Sequence, residues 1–325
     1  MAGANGRIAF FDFLKGIAII SVIFLHCADF TQEGAWVKEP LSFGVELFVI
    51  ASGFLLAKRY ENGVAVLGYW KGIFIRLVPA YVFFTLALHL FACGFLISPH
   101  ELLLDVLLGR QNGGSLYFIP VILQLYLVFP ILNRYRRKAL SPPFLALALA
   151  LSLLISQWDS MVRVPWNADP FALAFCGRYF FLFVLGMWMS ERKIEDVGAK
   201  KSAAILVCLL ALVLLSFAIS LPFRQVFLYP AAMFFAIRAA YLALEKAKPA
   251  ASILSAVEST GRMSLMVYIL HPIAIYGVLA RLPFEPAGWA GYLAYSLAAL
   301  ALSYAGAAMF YLAYGRLVWK GTARA

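Results

Sequence analysis

The sequence predicts an all-α membrane protein that crosses the bilayer about ten times and keeps both termini in the cytoplasm. The composition, the lengths of the apolar runs and the distribution of positive charge all predict this fold. Of the 325 residues, 64% are hydrophobic and only 13% are charged, whereas soluble domains carry about 25% charged residues. The mean hydropathy is +0.87. Spans and short loops use up the whole length, so we expect one integral membrane domain over residues 1–325.

The apolar runs are long enough to cross a hydrocarbon core of about 30 Å as helices. The second and the fifth of them are the shortest. The predicted spans are 8–28, 42–57, 72–97, 115–132, 143–158, 172–189, 202–221, 225–244, 263–281 and 288–314.

With these spans, loops that are rich in Lys and Arg alternate along the chain with loops that contain few. With the N-terminus placed in the cytoplasm, 18 of the 27 Lys and Arg residues fall in cytoplasmic segments, five in external loops and four within spans. Cytoplasmic loops of membrane proteins carry such an excess, and the alternation favours an even number of spans. The net charge of +11 is therefore assigned to membrane topology and not to a nucleic-acid partner.

Several chemical signatures are absent from the sequence. It contains no G-x-S-x-G elbow, no P-loop, no H-E-x-x-H and no G-x-G-x-x-G. The four cysteines lie in apolar stretches and form no C-x-x-C pair, which favours small buried residues over disulfides or metal ligands. We therefore expect no metal site, and any chemistry must come from polar residues inside the spans.

The first span carries the clearest candidates. It reads FDFLKGIAIISVIFLH from Phe11 to His26 and includes Asp12. Lys15 and His26 are eleven positions apart, so they share one helix face and stand about 16 Å apart along its axis. Ionisable groups within a membrane are costly, and such a face is typical of a functional site. An imidazole can serve as a general base near neutral pH, or can itself be acylated.

The other intramembrane polar residues keep two interpretations each. Glu46 either orients His26 or faces water at the membrane edge, and Arg76 either binds a phosphate through its guanidinium fork or snorkels to the cytoplasm. His271 precedes Pro272, which can disturb the helix and free a backbone carbonyl, so this histidine either lines a cavity or is structural. The remaining candidates are Ser52, Gln124, Arg178 and Arg238.

Taken in order, these stretches resemble the acyltransferase 3 family of integral membrane acyltransferases. The first is FDFLKGIAIISVIFLH, with an acidic residue, a basic residue, ten further residues and a histidine. The others are FGVELFVIASGFLLAKRY followed by RLVPAY, then SLYFIPVILQLY, and finally GRMSLMVYILHP. The basic residue of the first motif is usually Arg in the family and is Lys15 here, so its charge is kept but its bidentate fork is lost.

The resemblance implies transfer of an acyl group from cytoplasmic acyl-CoA, most often acetyl-CoA, to a hydroxyl of a cell-surface glycan or lipid-linked sugar. It also implies a place in the bacterial inner membrane. In this scheme His26 is the catalytic base and Glu46 orients it. Basic side chains hold the donor, and a second set contacts the acceptor. The donor set is Lys15, Arg76 and Arg238, and the acceptor set is Asp12, Ser52, Gln124, Arg178 and His271.

A transporter or flippase of a glycan or lipid-linked precursor is the alternative, because polar residues at mid-depth also mark substrate paths. Transporters often contain inverted repeats, and the two halves of this sequence show no convincing similarity. An assembly or regulatory membrane protein would leave the aligned Lys15 and His26 unexplained.

Overall fold

The computed structural model describes residues 8–93, 98–109, 115–161, 175–218, 227–247, 250–283 and 286–322. These residues are almost entirely helical, and no strand occurs among them, which confirms the all-α prediction for the described part. The helices are α1 (Ala9–Cys27), α2 (Gly34–Leu41), α3 (Gly44–Arg59), α4 (Val66–Cys93), α5 (Pro99–Leu108), α6 (Phe118–Arg134), α7 (Arg136–Ala139), α8 (Pro142–Met161), α9 (Gly177–Glu191), α10 (Ala199–Ala218), α11 (Tyr229–Leu244), α12 (Ala251–Arg262), α13 (Ser264–Pro272) and α14 (Gly288–Thr322).

A helix lies in each of the ten predicted spans. By length and composition, six stretches of the described chain are able to cross a membrane, and these are Ala9–Phe30, Gly34–Arg59, Val66–Leu90, Ala199–Ser216, Ser264–Arg281 and Gly288–Ala313. Shorter apolar helices cover Phe118–Arg134, Pro142–Gln157 and Tyr229–Leu244. The polytopic architecture is thereby confirmed, while the count of ten and the side of each terminus stay predictions.

Helix α1 lies at the centre of the bundle. It packs against α3, α11, α12, α13 and α14. In the apolar 18-residue segment of α1, and in that of the α2–α3 stretch, 67% of the residues are buried, against 17% for α10. Large apolar side chains of α10, such as Leu214, are exposed as expected of a surface that faces lipid. Polar groups on α1 therefore point into protein.

Helices α3 and α9 touch through a reciprocal pair of glycines. A Cβ on Gly53 would collide with the Phe183 carbonyl, and a Cβ on Gly186 would collide with the Ile50 carbonyl. Small residues allow such close backbone approach between membrane helices. Gly53 and Gly186 thus serve helix packing.

Glycines also join α1 to α12. A Cβ on Gly16 would collide with the backbone of Val257, and a Cβ on Gly261 with the Asp12 carbonyl. The approach brings the end of α12, with Gly261 and Arg262, to the cavity that Lys15 lines, which is described below.

Pro272 changes the helix in which His271 lies. Helix α13 ends at Pro272 and continues as a π-helical segment, Ile273–Val278. Proline has no N–H, so the carbonyl of Tyr268, four residues earlier, loses its helical donor. Nδ1 of His271 lies 2.5 Å from that carbonyl oxygen. The predicted disturbance by Pro272, with a freed carbonyl, is confirmed.

Candidate active site

A cavity of about 450 Å³ enters the bundle from the end that the charge pattern predicts to face the cytoplasm. Its basic side chains are Lys15, Arg59, Arg76 and Arg262, and its described lining contains no acidic residue. Two sequence-predicted donor residues, Lys15 and Arg76, therefore line the same cavity. Lys15 and Arg262 have carboxylate partners outside the lining, Asp12 and Glu258, the latter at 3.9 Å. The excess of positive charge that remains favours an anionic ligand at this mouth.

Local contacts hold two of these cations in place. Nζ of Lys15 forms an ion pair with Asp12 at 2.8 Å, one helical turn earlier. Nε of Arg76 donates to the Gly72 carbonyl at 2.7 Å. The pairing gives Asp12 a role in placing Lys15, and Asp12 itself is not part of the cavity lining.

The cavity runs inward along α3. Its lining extends from Arg59 to Phe48, eleven residues apart, which corresponds to about 16 Å along the helix axis. Hydroxyl groups line its middle part: Tyr126 donates to Oγ of Ser52 at 3.3 Å. The Tyr69 hydroxyl also lines the cavity, buried and without a hydrogen-bond partner among the described residues. The Tyr69 ring packs against Tyr60, next to Arg59, with centroids 5.3 Å apart. The cavity, which we call the shaft, is thus basic and polar toward Arg59 and apolar at its inner end.

Three aromatic rings close the inner end, and we call them the aromatic partition: Phe48, Phe118 and Tyr268. The ring centroids of Phe48 and Phe118 are 5.7 Å apart, and those of Phe118 and Tyr268 are 5.4 Å apart. The Phe118 backbone N–H donates to the Tyr268 hydroxyl oxygen at 3.3 Å. Since this bond joins α6 to α13, it holds the Tyr268 ring across the shaft.

Two histidines lie directly behind the aromatic partition. The Tyr268 ring is 5.2 Å from the ring of His271, which in turn is 5.1 Å from the ring of His26. His26 is partly buried and does not belong to the cavity lining. The structure therefore brings the two predicted histidines together, with Tyr268 between them and the cavity.

The hydrogen bond made by His271 determines its tautomer. A carbonyl oxygen only accepts, so Nδ1 of His271 must carry the proton that it donates to Tyr268. Nε2 then bears a lone pair. This atom is buried and has no partner among the described residues. His271 thus presents an unused hydrogen-bond acceptor beside His26.

His26 and Glu46 have different partners. Nδ1 of His26 lies 3.3 Å from the hydroxyl of Tyr276. Glu46 is buried, interacts electrostatically with Arg178, and has an Oε2 without a hydrogen-bond partner among the described residues. These contacts do not join Glu46 to His26, so the orientation of His26 by Glu46 stays a prediction.

Arg238 lies away from the cavity. It is 6% exposed, its guanidinium stands 4.7 Å from the Phe10 ring, and it donates to the carbonyls of Glu195 and Val197, the latter at 3.2 Å. These contacts fasten the segment before α10 to the bundle. They favour the structural interpretation of Arg238, which we leave out of the site below.

Gln124 also bridges backbone segments. Its Nε2 donates to the Pro120 carbonyl at 3.1 Å, and its Oε1 accepts from the Cys176 N–H at 3.2 Å. The side chain therefore links α6 to the start of α9, and a role in binding the acceptor stays a prediction.

The aromatic contributors could not be recognised in the sequence. Tyr69, Tyr268 and Tyr276 lie in apolar helices, where tyrosines are also common as packing residues and at membrane interfaces. Nothing in the sequence indicated that Nδ1 of His89 lies 2.8 Å from the buried carboxylate of Asp105.

Comparison with known proteins identifies the family. The model of the acyltransferase 3 family, described as an acyltransferase domain, matches residues 8–308. No curated protein and no solved structure matches the chain. The match covers every motif that carries the resemblance, the two histidines, and the cavity lining except Phe310 and Tyr311. The chain therefore belongs to the acyltransferase 3 family of membrane acyltransferases.

Proposed function

We propose that this protein transfers an acyl group, most readily acetyl, from cytoplasmic acyl-CoA to a hydroxyl of a cell-surface glycan or lipid-linked sugar, with His26 as the general base. The observation that carries the proposal is the basic cavity, which ends at the aromatic partition with the two histidines directly behind it.

The cavity suits an acyl-CoA donor in three respects. Its basic mouth complements the phosphates, for which Arg76 offers a forked donor and Lys15 a point charge. The hydroxyls of Ser52, Tyr69 and Tyr126 in the lining suit the amides of the pantetheine arm. The apolar inner end accepts a short acyl chain. With a lining about 16 Å long from Arg59 to Phe48, the thioester would reach the aromatic partition.

Transfer requires the Tyr268 ring to turn away from Phe118, so that the thioester meets the acceptor beside His26. His26 takes the proton of the acceptor hydroxyl while that oxygen forms a bond to the thioester carbonyl carbon. The C–S bond then breaks, and coenzyme A leaves as a thiolate, which needs little acid assistance. The histidine returns its proton to the thiolate or to water.

The remaining polar groups would bind the acceptor. Nε2 of His271 is an unused acceptor beside His26 and would receive a hydrogen bond from a second hydroxyl of the sugar. Arg178, which interacts with Glu46, would stabilise the negative charge that develops on the carbonyl oxygen. Each role uses a donor or acceptor of the required kind.

The test uses proteoliposomes that contain the purified protein and enclose lipid-linked sugars or cell-surface glycan as the acceptor. Acetyl-CoA labelled in its acetyl group is added outside. We expect covalent label on the acceptor, removable by mild base as an ester. We also expect S-acetylpantetheine, which lacks the nucleotide phosphates, to have a higher KM than acetyl-CoA, because it has no phosphate to bind the basic side chains at the mouth.

Two outcomes would contradict the proposal. Movement of unmodified acceptor across the membrane without labelling would identify a transporter or flippase. Equal KM values for acetyl-CoA and S-acetylpantetheine would show that the basic mouth does not contribute to donor binding.

Pro272→Ala is expected to lower activity while leaving the fold intact. The alanine N–H restores a helical donor to the Tyr268 carbonyl, which then competes with Nδ1 of His271 for the same oxygen. His271 loses its fixed tautomer, and we expect kcat to fall roughly tenfold. The melting temperature of the purified protein should be unchanged or higher, because proline disfavours a helix interior by roughly 3 kcal/mol.

Pro79→Ala is the matched control for this variant, since Pro79 lies within α4 and outside the cavity lining. It should leave kcat at the wild-type value. If Pro272→Ala also retained the full kcat, the tautomer of His271 would have no part in the reaction.

A further inference from the structure

We infer that the Tyr276 hydroxyl is the group that positions the His26 ring for proton transfer. This inference rests on the proposed function, because it assigns Tyr276 a role toward the base of that reaction. Its hydroxyl oxygen lies 3.3 Å from Nδ1 of His26, and the two ring planes are close to perpendicular, at 77°. The contact joins α1 to the π-helical segment 250 residues later.

The surroundings of Tyr276 hold its ring in place. The Phe30 ring packs against it with centroids 5.8 Å apart, and Phe30 in turn packs against Tyr295 at 5.2 Å. The Tyr295 hydroxyl donates to the carbonyl of Ile275, the residue before Tyr276, at 3.5 Å. Single π-helical turns widen the helix and are frequent at functional sites. Here the segment starts directly after His271 and Pro272.

The other groups near His26 are less suited to this role. Asp29 interacts electrostatically with His26, but its carboxylate is half-exposed and pairs with Lys38 at 2.5 Å. Glu46 interacts with Arg178. Nδ1 of His271 donates to the Tyr268 carbonyl, and its Nε2 has no hydrogen-bond partner among the described residues, so neither nitrogen bonds to His26. Among the described residues, the Tyr276 hydroxyl is therefore the hydrogen-bonding partner of the His26 ring.

The chemistry of the hydroxyl allows it to hold the ring in the reactive tautomer. A phenol oxygen can accept a hydrogen bond as well as donate one. When Nδ1–H of His26 donates to Tyr276, the lone pair lies on Nε2, and that nitrogen can take the proton of the acceptor hydroxyl. The same bond continues to hold the ring after it becomes protonated, because Nδ1 keeps its proton throughout.

Tyr276→Phe tests the inference, because it removes the hydroxyl and keeps the ring that packs on Phe30. The assay is the transfer of labelled acetyl from acetyl-CoA, with kcat and KM measured separately. We expect kcat to fall roughly tenfold or more, while KM for acetyl-CoA stays unchanged, since Tyr276 is not part of the cavity lining. In a His26→Gln background, Tyr276→Phe should cause no further loss of kcat.

Tyr292→Phe is the matched control. The Tyr292 hydroxyl also bonds to α1, donating to the Phe24 carbonyl at 3.0 Å, but it does not contact His26. This variant should keep the wild-type kcat. An unchanged kcat in Tyr276→Phe, with active wild-type protein in the same assay, would overturn the inference and leave the proposed function standing. If the wild-type protein were itself inactive in this assay, that result would instead contradict the proposed function.

Discussion

His26→Gln is expected to accumulate in the membrane as a folded protein and to lose acyl transfer. Glutamine approximates the size of the imidazole and keeps a polar group near Tyr276, but it cannot take a proton at neutral pH. General-base catalysis contributes about 100-fold or more to such reactions, so the rate of acetyl transfer should fall by at least about 100-fold. The measurement is the initial rate of labelled acetyl transfer at equal protein amounts.

His100→Gln is the matched control, because His100 is an exposed histidine on α5 whose nearest charged partner is Glu101 at 3.5 Å. It should transfer acetyl at the wild-type rate. If His26→Gln kept a substantial part of the activity, His26 would not be the base, and the unused Nε2 of His271 would be the next group to test. The two histidines can thus be separated by experiment.

Gly186→Ala is expected to destabilise the bundle strongly. The added methyl group would meet the Ile50 carbonyl of α3, a backbone atom that cannot turn aside as a flexible side chain can. Overfilling a packed contact typically costs about 1–3 kcal/mol, and separating two helices whose backbones touch also loosens their neighbours. We expect a clearly lower melting temperature for the detergent-purified protein, and reduced yield from membranes.

Gly68→Ala provides the comparison, since Gly68 also lies in a helix and a Cβ there would meet nothing within 4 Å. Alanine is favoured over glycine in a helix by roughly 1 kcal/mol, so this variant should be as stable as the wild type or more stable. Equal melting temperatures for the two variants would mean that α3 and α9 tolerate separation at this contact.

The helices and part of the site could be predicted from the sequence, because both follow from local patterns. Apolar runs between charged loops marked the helices. Pro272 lacks an N–H wherever it occurs in a helix, so its effect on the Tyr268 carbonyl was foreseeable. Lys15 and Arg76 could be placed near one end of the bundle because loop charge gives the depth of each residue.

The partners of the site residues could not be predicted, since depth in the membrane does not determine the direction in which a side chain points around its helix. The sequence could not show that Glu46 interacts with Arg178 and that His26 lies beside Tyr276, and orientation of His26 by Glu46 stays a prediction. It could not show either that Arg238 donates to the carbonyls of Glu195 and Val197, and a role of Arg238 in donor binding stays a prediction.

The contacting rings of Phe48, Phe118 and Tyr268 have a consequence for the membrane itself. If the proposed function holds, the protein receives one reactant from each face of a membrane, and such a protein risks becoming a leak for protons and small ions. The three rings separate the basic cavity from the imidazoles. We therefore expect vesicles containing the resting protein to hold a proton gradient, so that the electrical insulation of the bilayer is kept between turnovers.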